Sequence, residues 1–133
     1  MITELSEQQC IELLGTTTVG RLGFVHEGRV HVIPVNFLLD GHDIVVRTSP
    51  EGPISELPDS TELVAFEIDH HDDLSGGGWS VLLNGPVTVM SDEELAAVPG
   101  TRRVQPWAGG ERSLALRLRP ELVSGRRVQR PRR

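Results

Sequence analysis

The chain has no lysine and no tyrosine. Without lysine, no Schiff base to pyridoxal phosphate or a carbonyl substrate can form, and there is no P-loop lysine. Without tyrosine there is no phenolic acid. Cysteine is scarce: Cys10 stands alone, which excludes an internal disulfide and makes a cytoplasmic location the expectation. Aromatics make up only 4% of the residues. No apolar run approaches the roughly 18 residues of a membrane-spanning helix. The opening Met1-Ile2-Thr3-Glu4 has no basic region and no apolar stretch behind it, so no secretory signal is expected.

What remains is an ordinary globular composition. At 133 residues and 38% hydrophobic, residues 1–133 read as a single domain. The net charge is −6, and all thirteen basic residues are arginine. Five of them, Arg126, Arg127, Arg130, Arg132 and Arg133, fall in the last eight residues; taking those five charges from −6 leaves −11 on the rest. An acidic body argues against nucleic acid as the main partner, and residues 126–133 read as a solvated, flexible Arg-rich tail.

Ser6 with Gln9 forms a capping box ahead of the apolar stripe Cys10, Ile11, Leu13 and Leu14, and Gly15 is a natural stop. This predicts a first helix. From 20 to 47 the pattern is a three-stranded meander, 20–25, 30–39 and 42–47, turned at His26-Glu27-Gly28-Arg29 and at Asp40-Gly41. Residues 49–62, with three prolines, form a connector with room for about one helical turn. A fourth strand covers 63–68, a polar loop 69–78, and a long fifth strand 79–90 with Pro86 inside it implying a bulge or an edge. Ser91 and Glu94 repeat the capping box. Residues 101–110 form a loop, and 113–119 alternate cleanly as a sixth strand. Six hairpin-rich strands without a βαβ rhythm predict a mainly β fold, a small antiparallel barrel with a few short flanking helices.

One pair of residues offers specific chemistry. Arg47-Thr48 ends the Ile44-Val45-Val46 run and precedes the breaker segment Ser49-Pro50-Glu51-Gly52-Pro53. A guanidinium beside a hydroxyl at a strand end is a compact set of donors for a phosphate. Other chemistry-bearing residues are less telling. In Asp69-His70-His71-Asp72-Asp73 adjacent ligands converge poorly on one ion, so a solvated loop and no metal is expected. His31 has no carboxylate at a defined spacing. Cys10 lies on an apolar helix face and reads as buried and inert. Ser80 lacks a nucleophile-elbow frame. Trp79 and Trp107 suit a barrel plug, a dimer anchor or a ligand wall equally.

Seven short segments, in order, resemble the flavin-binding split-barrel family typified by pyridoxamine 5′-phosphate oxidase, and its short actinobacterial-type members in particular. They are Val19-Gly20-Arg21-Leu22, Pro34-Val35-Asn36-Phe37, Arg47-Thr48-Ser49-Pro50, Phe66-Glu67-Ile68-Asp69, Gly78-Trp79-Ser80-Val81, Pro106-Trp107-Ala108-Gly109 and Gly125-Arg126-Arg127. The resemblance implies a six-stranded, Greek-key split barrel and a homodimer with two FMN sites at the subunit interface. It implies that Arg47, Thr48 and Ser49 hold the FMN phosphate and that the backbone of Pro34, Val35, Asn36 and Phe37 runs beside the isoalloxazine ring. Trp79 and Ser80 would line the site, and Trp107 would come from the partner subunit. The implied function is a flavin-dependent oxidoreductase acting on an unidentified small molecule, with FMN expected ahead of a deazaflavin. The alternative is a non-catalytic flavin, deazaflavin or haem-binding or storage protein, or a relative that has lost its cofactor. Where the family commonly has Gly-x-Lys-Leu after the Arg-Thr-Ser-Pro step, this chain has Glu51-Gly52-Pro53-Ile54-Ser55, with Ile54 at the lysine position. Arg126 and Arg127 are the candidate replacements for that lysine. No catalytic residue is assigned.

Overall fold

The computed structural model describes residues 1–59, 62–99 and 114–130. Among these residues nine strands form one continuous antiparallel array, with two short α-helices and a 3-10 helix. In chain order they are β1 (Ile2–Glu4), α1 (Glu7–Leu14), β2 (Val19–His26), β3 (Arg29–Asp40), β4 (Asp43–Thr48), the 3-10 helix Pro53–Asp59, β5 (Val64–Asp72), β6 (Gly77–Gly85), β7 (Val87–Val89), α2 (Asp92–Ala96), β8 (Leu114–Leu118) and β9 (Leu122–Val128). The strand order across the array is β1-β9-β6-β5-β2-β3-β4-β8-β7. The architecture is the expected mainly β split barrel.

Among the described residues the strand count is nine rather than six, for local reasons. Pro86 has no N–H to give to a ladder, so the long fifth strand divides into β6 and β7. The polar segment after Ile68 is not a loop: β5 continues to Asp72 and β6 begins at Gly77, leaving only a tight turn. Gly76 takes φ 70° there. Polarity misled because these strand residues face water, which the pairing of two strands tolerates. The segment read as the start of a tail is β9. Arg126 and Arg127 sit in it, paired to β1 on one side and to β6 on the other.

Both capping boxes form. Ser6 Oγ accepts from Gln9 N at 3.1 Å while Gln9 Oε1 accepts from Ser6 N at 2.8 Å. Ser91 and Glu94 repeat the exchange, both bonds being 3.1 Å. The Ser91 N–H and hydroxyl hold the Glu94 carboxyl below its usual range. Replacing Ser6 by Ala removes the acceptor for an otherwise unpaired helix donor, and is expected to cost about 1 kcal/mol of stability in denaturant unfolding. No change in the unfolding midpoint would show that α1 is held by its packing alone.

The core fills the space between the strands and α1. Phe66, Ile44, Val81 and Leu83 are fully buried, with Leu22, Phe37, Val46, Val64, Ile68, Leu116 and Leu118 around them. Phe37 meets Phe66 edge-on, with ring centroids 4.9 Å apart. Gly20 is required by that ring, because a Cβ at this position would lie inside Phe66. Gly125 makes room for the buried Cys10 sulfur, 2.6 Å from where its own Cβ would stand. Burial, and then the Glu7 charge, push the Cys10 thiol up, so it stays neutral and inert. On the other side of β4 a smaller cluster of Val45, Met90, Val98 and Ala115 packs with Leu38 and Leu95, placing the α2 region over β4 and β8.

Candidate functional site

The barrel splits where β3 changes partners. From Arg29 to Asn36, β3 pairs with β2; from Phe37 to Asp40 it pairs with β4. The last β3–β4 pair is Phe37 with Val46. Beyond it the two strands part, and the next positions on the β4 side are Arg47 and Thr48, which pair only with Ala115 and Leu114 of β8. The notch left between the strands therefore has Val35 and Asn36 on one wall and Arg47 and Thr48 on the other.

The backbone of β3 is oriented by this divergence. Phe37 N–H donates to Thr18 O at 2.9 Å, on the β2 side. Successive residues of a strand turn their N–H and C=O groups to opposite sides, so Asn36 N–H points to the β4 side, at the notch. The side chains of Val35 and Phe37 are buried in the core, while Pro34 is exposed and Asn36 half-buried. Asn36 Nδ2 donates to Thr18 O at 3.4 Å. Its Oδ1 is buried and, among the described residues, has no hydrogen-bond partner. A buried acceptor of this kind costs free energy until a donor reaches it. Arg47 is exposed and Thr48 half-buried. Ser49 Oγ accepts from Glu51 N at 3.3 Å, which turns the chain out of β4. Ile54, at the lysine position of the resemblance, is a core residue of the 3-10 helix, so no cation replaces that lysine locally.

Other candidates lie elsewhere. Side chains alternate along β6: Ser80 faces outward, whereas Trp79 lies at the rim of the core, stacked on His70 with centroids 6.3 Å apart. They do not line one surface. In β9 the same alternation separates Arg126, opposite Ser80, from Arg127, opposite Trp79. Both arginines are five strand positions from Arg47. Trp107 lies outside the described residues. In the acidic, histidine-rich segment His71 pairs with Asp73 at 3.0 Å. Asp72 Oδ1 accepts from Ser75 N and Leu74 N, which holds its carboxyl below the usual range.

Sequence reasoning gave no role to a charged cluster on the outer face. Arg21 Nη1 meets Glu67 Oε1 and Asp69 Oδ2, each at 3.0 Å. Partial burial, then the hydrogen bond and charge of Asp69, push the Glu67 carboxyl up to about 7, against the pull of Arg21. The Arg21 guanidinium is held charged, first by Asp69. The cluster is set by strand register, which makes Arg21 and Glu67 cross-strand neighbours. In the unfolded chain Glu67 ionises near its ordinary 4.5. The folded state therefore binds more protons between about 4.5 and 7, and stability falls as pH rises through that window. Glu67→Gln, neutral throughout, is expected to flatten this dependence in melting temperatures taken across the window. An unchanged slope would assign it to another group.

A family model described as pyridoxamine 5′-phosphate oxidase matches residues 6–127, nearly the whole described chain. The chain belongs to this family. Among relatives, an uncharacterized protein of Mycobacterium tuberculosis is 29% identical over 131 residues, covering 96% of this chain and 86% of the relative. The solved FAD binding protein from Mycobacterium smegmatis is 25% identical with a TM-score of 0.74, covering 97% of this chain and all of that one. A putative pyridoxamine 5′-phosphate oxidase from Corynebacterium glutamicum shares the fold at 24% identity and a TM-score of 0.77, covering 98% and 96% of the two chains. The family's split barrel is thus present with its strands diverging beside Arg47-Thr48. Among the described residues no helix is long and apolar enough to cross a membrane.

Proposed function

We propose that this chain binds a flavin in the notch between β3 and β4 and uses it as a flavin-dependent oxidoreductase on a small molecule, working as a homodimer. The observation that carries the reading is the parting of β3 and β4 at Asn36 and Arg47. It sets a guanidinium and a hydroxyl across from an N–H on the β4 side and a buried amide oxygen that has no partner among the described residues. That donor set fits the group. Arg47 and Thr48 suit the phosphate, and the Asn36 peptide and Oδ1 suit the mixed donor and acceptor edge of the ring. Val35 and Phe37 hold this wall rigid through their core packing. A bound flavin supplies the electron-carrying chemistry; the protein supplies position and electrostatics. FMN contains everything this set addresses. The M. smegmatis relative, an FAD binding protein, adds support for a flavin as the ligand class.

One observation favours a second reading. Ile54 is buried where the family commonly offers a lysine, and Glu51 places a negative charge in the same segment. A phosphate held by fewer cations binds more weakly, which suits a flavin, deazaflavin or haem carrier without turnover. Titration of the purified protein with FMN and with FAD, followed by flavin fluorescence, tests the first reading. Saturable binding with bleaching and recovery of the bound flavin by a reductant and an oxidant supports it. Binding without any turnover supports the carrier, and no binding of either flavin sinks the notch assignment.

A further inference from the structure

We propose that residues 49–59 form a hinged strap that closes the open flank of the barrel, latched to the β2–β3 hairpin by His26 and Glu56, and that it swings clear as a unit while the strands stay paired. The inference stands whether or not a flavin occupies the notch.

From Arg29 to Asn36, β3 pairs with β2 alone, and across the gap Arg47 and Thr48 pair with β8 alone. Pro34, which has no N–H to donate, suits that unpaired edge. Among the described residues no strand closes the barrel wall along this stretch of β3, about 23 Å. The 3-10 helix Pro53–Asp59 lies across the opening. It packs against β7 on one side, and on the other its Glu56 Oε2 stands 3.2 Å from His26 Nδ1 at the end of β2. Its Ile54 and Leu57 join the main core. Behind the latch, Leu22, Phe24 and His26 share one face of β2. His31, opposite Phe24, stacks on that ring with centroids 5.2 Å apart, and His26 meets His31 edge-on at 5.9 Å. The latch thus grips the outermost ring of a stack whose inner end is core. The other carboxylate near the His26 ring is Glu27, with Oε1 3.9 Å from Nε2. Of the two, only Glu56 belongs to the strap.

The strap is held differently from the strands. Pro53 and Pro58 have no N–H. Among the described residues every hydrogen bond of 49–59 is made within the segment: Glu51 N donates to Ser49 Oγ at 3.3 Å, and Ser55 N and Oγ donate to Gly52 O at 3.2 and 2.6 Å. No main-chain bond among these residues ties it to the sheet. Its attachment is two apolar side chains and one polar contact, in which Glu56 is 64% exposed and His26 23%. A segment so held opens at a lower free energy than a strand, whose exit breaks a whole ladder. Gly52 supplies the hinge: its φ is 97°, and a Cβ built there meets nothing within 4 Å. The Ser55 bonds to Gly52 travel with the helix. Release frees the backbone that leaves Thr48 at one end and uncovers the Phe24–His31 stack at the other.

Hydrogen–deuterium exchange of the full chain, read by mass spectrometry, tests this. Residues 49–59 should exchange faster than β5 and β6 and with a weaker dependence on denaturant, the mark of an opening smaller than global unfolding. Glu56→Ala should speed that exchange by about two- to fivefold, the worth of one half-exposed polar contact, and leave β5 and β6 unchanged. His26→Ala should have the same effect on the strap, and the double variant no more than either alone, because both remove one contact. Leu57→Ala should speed it by about thirtyfold or more. Exchange of 49–59 that follows β5 and β6 in rate and denaturant dependence overturns the strap. Equal acceleration of the strap and both strands by Glu56→Ala, or additive effects of the two single variants, overturns the latch. Should His26→Ala fail to fold, Glu56→Ala, at an exposed position, decides alone.

Discussion

In the proposed flavin site, Arg47→Ala is expected to weaken flavin binding by about 1.5–3 kcal/mol, roughly ten- to a hundredfold in affinity. The expectation rests on where the strands part. Arg47 follows the last residue of β4 that pairs with β3, and its exposed side chain stands at the mouth of the notch. A charge-assisted, forked contact to a phosphate is among the stronger single interactions a binding site can make. Arg47→Lys keeps the charge but not the planar fork, so its affinity should fall between those of wild type and Arg47→Ala. Titration with FMN measures all three, and the flavin-free melting temperature separates lost affinity from lost fold. Equal affinity for the alanine variant and the wild type would move the phosphate to another part of the molecule.

Phe66→Ala is expected to cost about 3–5 kcal/mol of folding stability. Phe66 is the largest fully buried side chain among the described residues, and its ring fills the space that Gly20 leaves open. The whole stability of a domain this size is typically about 5–15 kcal/mol, so the loss is a large share of it. Part of the effect reaches the site. Phe66 packs edge-on against Phe37, which anchors the wall of the notch, so flavin affinity should fall along with stability. Gly20→Ala alone should also destabilise, because its methyl collides with the ring. Combined with Phe66→Ala it should cost less than the sum, since the collision has gone. Denaturant unfolding of the two single variants and the double variant tests this, and strict additivity would mean that Gly20 and Phe66 do not compete for the same space.

The acidic cluster on β5 shows a different kind of dependence. Glu67 could be read from sequence as an alternating, outward strand residue, but its proton affinity depends on two residues distant in the chain. Arg21 reaches it across the β2–β5 pairing, and Asp69 competes for the same guanidinium. Nothing in a strand pattern announces that contest.

Short-range chemistry carried much of the fold. Capping boxes at Ser6 and Ser91 depend only on residues three apart, and the turn at Glu27-Gly28 depends on positive φ, so both were legible in the chain. The alternation of Leu114, Leu116 and Leu118 likewise fixed β8, and Arg47-Thr48 stood out because a breaker follows it at once. Hydrophobicity could not mark β9 or the ends of β5 and β6, because the polar residues there are held by backbone pairing to a neighbouring strand rather than by an apolar face. Nor does strand alternation reveal which strands are neighbours. Only the tertiary structure showed that β3 deserts β2 for β4 beside Arg47, that Arg126 lies five strands away, and that Arg126 and Arg127 face opposite ways. Local bonding rules act over a few residues and are written in the sequence; register and strand order arise from contacts between distant segments, and they exist only once the chain has closed on itself.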